Sequence, residues 1–163
     1  MTEKTPHPIE AAPFAGFVGE WTGVARTWFD PAVLADESPV QGRIERVLNG
    51  RFLRHTYVGA MQGRPRHGEE TLAIEPITRT AQVAWMDDFH ISACLLWSEG
   101  PLTPQGCSVI GSYEVGAGER PWRWRTVYAL EDHDHLVIMA YNVTPDGDET
   151  RAVETRYVRV VHS

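Results

Sequence analysis

The run Trp85-Met86-Asp87-Asp88-Phe89-His90 is the most unusual local feature of the sequence. Asp87 and His90 flank what reads as a tight reversal, where an aspartate can cap backbone N–H groups and also orient an imidazole. An Asp–His pair is one ingredient of general acid–base catalysis, and it is equally a way to staple a hairpin. No nucleophile accompanies it: there is no GxSxG elbow, and neither Cys94 nor Cys107 has a recognisable catalytic setting. A second group is set by Asn49-Gly50, which joins two β-rich runs as a type I′ hairpin turn. That turn places Ile44 opposite His55, Arg46 opposite Leu53, and Glu45 opposite Arg54 on the other face. Arg46, His55 and Tyr57 then share one face, where a cation, an imidazole and a phenol would orient an anionic or carbonyl-bearing ligand. At an open rim the same groups would simply be solvated.

Glu154 is the third candidate, as a proton-transfer group if it points inward, where a carboxylate needs a partner, or as an ordinary surface acid. His67, His90, His133 and His135 show no three-ligand grouping, and the two cysteines form no CxxC, so no metal site is expected. The cysteines are read as buried, reduced thiols without a bridge. The 22 acidic against 15 basic residues give a net charge of -7, which argues against nucleic acid and against an anionic membrane surface. No stretch approaches the roughly 18 apolar residues of a membrane span, and the first fourteen residues carry no signal-like apolar run. These features suggest a soluble, cytoplasmic protein. One domain is expected over 1–163, with a flexible N-terminus over 1–12.

The elements that must position these groups are strands. Six Trp, five Tyr and five Phe recur in short segments separated by Gly, Pro, Asn and Asp. Strands are predicted over 19–29, 40–48, 51–61, 66–75, 80–87, 90–99, 107–115, 122–131, 135–143 and 149–161. A short helical turn is expected within 7–18 and a longer surface loop over 30–40. The hairpin between 90–99 and 107–115 is expected to turn near 101–104, with Cys107 facing a residue near 97. About ten strands in an antiparallel up-and-down meander must deal with their edges, and closure into a barrel removes them. Such a barrel leaves an interior for one small ligand.

Period-two alternation assigns the ring-rich set Trp122, Trp124, Thr126 and Tyr128 to the interior. Across a turn at 131–134 this puts Tyr128 near Val137, Thr126 near Met139 and Trp124 near Tyr141, and leaves Leu136, Ile138 and Ala140 outside. That apolar outer stripe suggests cover by a loop, the N-terminal segment or a second subunit, hence a possible homodimer. The expected ligand-binding set is Arg46, His55, Tyr57, Trp85, Trp124, Tyr128, Met139 and Tyr141.

Gly19-Glu20-Trp21 matches the GxW pattern that opens lipocalin-type barrels. The resemblance implies that Trp21 closes one end and that an arginine of the last strand, Arg159 or Arg156, packs over its ring. GEWTG at 19–23, NGRFLRHTYVG at 49–59, WMDDFH at 85–90, WRWRT at 122–126, YNVTPDG at 141–147 and AVETRYVR at 152–159 together resemble the DUF1579 family. That family is related to the calycin or lipocalin-like barrels; the resemblance implies a central cavity and supplies no reaction. Nitrobindin-type haem barrels share the first strand but place a histidine late in the barrel. Here His133, His135 and His162 fall at a turn or the terminus, so haem is not favoured and no cofactor is expected. Fatty-acid-binding barrels use Arg-x-Tyr on the last strand, whereas this chain reads Tyr157-Val158-Arg159.

Three functions fit these features: a carrier of a small apolar or amphipathic molecule, a cofactor-independent isomerase, cyclase or hydratase, or a dimeric interaction protein with a filled core.

Overall fold

The computed structural model describes residues 7–91 and 93–163. Two 3₁₀ turns, Pro8–Glu10 and Phe14–Phe17, precede ten strands. These are β1 (Gly19–Asp30), β2 (Val33–Val47), β3 (Phe52–Met61), β4 (Arg64–Ile74), β5 (Thr80–Asp87), β6 (Leu96–Thr103), β7 (Gly106–Tyr113), β8 (Trp122–Leu130), β9 (His135–Val143) and β10 (Glu149–Arg159). Each strand pairs antiparallel with its sequence neighbours, and β1 pairs with β10, which closes the barrel. The all-β, up-and-down barrel with a short N-terminal helical turn is thus the observed architecture.

The Asn49-Gly50 turn sets the expected register: Ile44 pairs with His55, Glu45 with Arg54 and Arg46 with Leu53. Asn49 and Gly50 both take positive φ, 60° and 76°. Glu45 and Arg54 form an ion pair at 2.6 Å on the outer face.

One end of the barrel is plugged. Ile9, Phe14, Phe17 and Trp21 are all buried there. Trp21 Nε1 donates to the Phe17 carbonyl at 2.9 Å, and the Arg159 guanidinium lies 4.2 Å from the centre of the Trp21 ring. Arg159 also donates to the carbonyls of Gly16, Val18 and His133, so it ties the plug to the last strand and to the β8–β9 turn. Gly19 at φ 150° permits this contact, because a Cβ there would come within 2.4 Å of the guanidinium. Of the predicted flexible stretch 1–12, residues 1–6 lie outside the described residues, whereas Ile9 is fully buried.

Four local expectations are corrected. The surface loop over 30–40 is mostly strand: β2 starts at Val33 and pairs with β1 along nearly its whole length. Pro39 is tolerated because β2 pairs with β3 only from Gln41 onward, so the missing N–H falls where one side of the strand is free. The strand over 90–99 starts instead at Leu96, and β6 turns at 104–105, so Cys107 faces Leu102. Cys107 is buried as expected, but Cys94 lies before β6 and is exposed; both are free thiols.

The β8–β9 pairing differs by one residue from the predicted one: Tyr128 faces Ile138, Thr126 faces Ala140 and Trp124 faces Asn142. Glu131 N–H closes the turn on the His135 carbonyl at 2.9 Å, a loop one residue longer than the acidic run suggests. Because side chains alternate, the slip exchanges the two faces of β9. Leu136, Ile138 and Ala140 point inward and are buried, and Met139 and Tyr141 belong to the outer face. The stripe of Leu136, Ile138 and Ala140 is therefore an inward one, and Val137, Met139 and Tyr141 take its place on the outer face of this strand. Among the described residues, no helix is long and apolar enough to cross a membrane.

Candidate functional site

Opposite the plugged end, the inward faces of β2, β3, β4, β5, β8, β9 and β10 surround a cavity with a free volume of about 50 Å³. Its floor is polar. Glu70 on β4 stands at the centre, with Oε2 2.8 Å from His55 Nδ1 and Oε1 accepting from Tyr128 Oη at 2.9 Å. His55 Nε2 lies 3.1 Å from Tyr157 Oη. All four side chains are buried, and the carboxylate is held by two strands other than its own, β3 and β8, with Tyr157 of β10 bonded to His55 behind it. Burial, followed by the charge of Glu70, pushes the phenols of Tyr128 and Tyr157 well above the ordinary 10.0. The same two causes push the Cys107 thiol up to about 12, which makes it a poor nucleophile.

The upper wall is aromatic. Trp85 and Trp124 stack with centroids 5.4 Å apart and planes 21° apart, and the His90 ring leans on both at 5.7 and 5.9 Å. Trp85 Nε1 donates to Tyr57 Oη at 2.9 Å, and Tyr57 donates onward to Asp87 Oδ2 at 3.2 Å. Gly68 makes room for this phenol, since a Cβ there would come within 2.1 Å of Tyr57.

Asp87 ends β5 and does two jobs. Its Oδ1 accepts from the backbone N–H groups of Phe89 and His90, which turns the chain over the mouth of the barrel. Its Oδ2 lies 2.9 Å from His90 Nδ1. The two readings of this pair, staple and oriented imidazole, are therefore the same structure. Burial pushes the Asp87 carboxyl up, but the His90 ring and the two amides outweigh it and hold the group below the ordinary 3.8. With Nδ1 engaged, Nε2 of His90, a residue of the cavity lining, is buried and has no hydrogen-bond partner among the described residues.

The sequence reading and the structure meet at His55, Tyr57, Trp85, Trp124 and His90, all of which line the cavity. Tyr128 and Asp87 support it from behind. Arg46 does not take part: it is exposed near the β2–β3 turn, at the opposite end of its strand from the cavity. Met139 and Tyr141 are excluded by the slip in β9. Glu154 also lies outside. A bulge in β10 between Arg151 and Val153 shifts the alternation, so Val153, Thr155 and Tyr157 face the cavity. Glu154 instead lies on the outer wall, paired with Arg26 at 2.9 Å and Arg156 at 3.3 Å. His133 and His135 sit at the β8–β9 turn beside Asp134 and Asp132, and His162 beside Glu20.

Two charged cavity residues escaped the sequence reading, Glu70 and Arg66. Period-two alternation along β4 joins both to the buried Leu72 and Ile74, and that pattern was the available signal.

The profile of the family described as "Protein of unknown function (DUF1579)" matches residues 9–159. Comparison with curated proteins gave no match. Among solved structures, an S-type phycobiliprotein lyase from Guillardia theta superposes with a TM-score of 0.57 at 13% identity, over 92% of each chain. That likeness shows the fold. A protein of unknown function from the DUF3598 family of Nostoc punctiforme aligns over 90% of this chain and 97% of its own, at 8% identity and a TM-score of 0.27, too low to bear on the fold.

Proposed function

The chain belongs to the DUF1579 family, whose description assigns no reaction, and from the site itself we propose that it binds a small amphipathic molecule inside the barrel. The observation that carries this reading is the bare Nε2 of His90, buried and held by Asp87 against the stacked Trp85–Trp124 pair. A buried polar atom with nothing to bond is costly, and a site of flat apolar walls with a few convergent polar groups is the usual form of a ligand pocket. The rings would take the flat apolar part of the ligand and His90 its polar end. The present free volume, about 50 Å³, is one or two waters' worth at roughly 30 Å³ each. A larger ligand requires the cavity to widen.

The test is titration of the protein's Trp fluorescence with indole, phenol, benzyl alcohol and the neutral probe N-phenyl-1-naphthylamine. Saturable change with at least one of these, weakened at least severalfold in Trp124→Ala, supports the reading. No response across the set overturns it.

The Asp87–His90 geometry favours a second reading, in which the free Nε2 accepts a proton from carbon in an isomerase, cyclase or hydratase-type reaction and returns it. Solvent deuterium uptake by enolisable ketones, present in the parent and lost in His90→Gln, would support it; no uptake by the parent would count against it.

A further inference from the structure

Arg66 is the residue of this cavity that nothing so far explains. It stands on the inward face of β4, is only 3% exposed, and lines the pocket. No carboxylate lies within 4.0 Å of it among the described residues, and its buried Nε has no hydrogen-bond partner there. Among the described residues it packs on the Tyr57 ring, with the guanidinium 5.4 Å from the centroid.

The two buried acids of this site are committed elsewhere. Glu70, four residues along the same strand, uses one oxygen on His55 and the other on Tyr128. Asp87 is taken by His90, Tyr57 and two backbone amides. Their charges lower the cost of holding a cation inside the barrel, but they leave its Nε–H without an acceptor among the described residues. A guanidinium cannot shed its proton to escape burial. Of the three buried polar side-chain atoms that lack partners among the described residues, two, Arg66 Nε and His90 Nε2, belong to this one cavity.

We infer that the ligand is an organic anion, a carboxylate on a flat apolar body, with Arg66 as the residue that receives the carboxylate. The chemistry of the donor selects it: a carboxylate offers two coplanar oxygens to the guanidinium fork, and such charge-assisted pairs are stronger than neutral ones. The aromatic wall then receives the remainder of the molecule. This inference rests on the binding reading above and adds the ligand's charge and its anchor. It also accounts for an arginine that a purely structural barrel would replace with an apolar residue, because an unpaired buried charge lowers stability.

The experiment compares matched pairs, benzoate against benzamide and indole-3-carboxylate against indole-3-carboxamide, by Trp fluorescence and thermal shift on the full chain and on Arg66→Met and Arg66→Lys. The expected result is that each acid binds at least about tenfold tighter than its amide. Arg66→Met should erase that preference and, without ligand, melt at or above the parent temperature. Arg66→Lys should keep the preference in reduced form, because charge remains while the planar fork is lost. Amides that bind as well as the acids would overturn the anion inference and leave the binding reading standing. Binding of neither would remove both. An Arg66→Met protein that melts well below the parent, with Arg66→Lys indifferent to ligand charge, would make Arg66 a structural residue and overturn the proposal.

Discussion

His90 Nδ1 lies 2.9 Å from Asp87 Oδ2, and the carboxylate that holds the ring is fully out of solvent. The same carboxylate caps the amides of Phe89 and His90, so one side chain both ends β5 and aims the imidazole. The mouth of the barrel and the chemistry of its wall are thus coupled through a single residue.

Asp87→Asn should therefore cost about 2–4 kcal/mol, through a lost charge on buried hydrogen bonds. Its pH signature follows from the depressed carboxyl. A group whose folded value lies below its unfolded one contributes stability that is present above the ordinary 3.8 and fades as pH falls toward and through the lower folded value. Urea unfolding between pH 3 and 7 should show the parent losing more stability on acidification than Asp87→Asn. Parallel curves would contradict the assignment.

At the closed end, Trp21 is 1% exposed under Arg159. Trp21→Ala should lower stability by about 3–5 kcal/mol, as a large-to-small change in a packed core does. Arg159→Ala removes the stacked cation and its bonds to three carbonyls, a loss of about 1–3 kcal/mol. The double variant should fall short of the sum, since the two residues touch. A loss under about 1 kcal/mol for Trp21→Ala would make the residue peripheral.

The two thiols should separate cleanly. Cys94 is exposed, while Cys107 is fully buried with its thiol pushed up to about 12. An aromatic disulfide reagent at pH 8 should titrate one thiol per native chain and the second only with unfolding. The raised phenols of Tyr57, Tyr128 and Tyr157 give the alkaline counterpart. Their contribution is complete below the unfolded value near 10 and is lost as pH rises above it. Absorbance at 295 nm should show these three ionising only as the protein unfolds.

What could be read from the sequence, and what could not, follows the range of the physical signal. Asn49-Gly50 gave the β2–β3 register because a two-residue turn leaves no freedom in the pairing it joins. The Trp21–Arg159 contact came from the resemblance, because no local pattern links residues at opposite ends of the chain. The β9 faces were lost to one residue of loop, since Glu131-Asp132-His133-Asp134 marks a reversal without fixing where pairing resumes. The face of Glu154 stayed open in the sequence for the same reason: it stands opposite Met139, so the slip that turns Met139 outward carries Glu154 with it. Arg66 and Glu70 were legible as alternation on β4. Their meaning was not, because it depends on partners supplied by β3, β8 and β10 and, for Arg66, on the absence of one.

Two glutamates provide the sharpest comparison of interior with exterior. Glu70→Gln keeps the shape of the side chain but replaces two acceptor oxygens with one oxygen and one NH₂. The buried hydrogen bonds then lose their charge, and His55 must change tautomer to accept from the amide or stand unpaired beside it, at about 1–3 kcal/mol. Glu154→Gln acts on the outer wall, where the carboxylate is covered by its neighbours but its partner Arg26 is a third exposed and also pairs with Glu37. Solvent screens that pair, so its loss should leave the unfolding midpoint nearly unchanged and ligand-induced fluorescence intact. Urea denaturation of the two variants side by side checks the placement of both residues. If Glu154→Gln proved the more destabilising, or if it altered the fluorescence response, Glu154 would have to face the cavity after all.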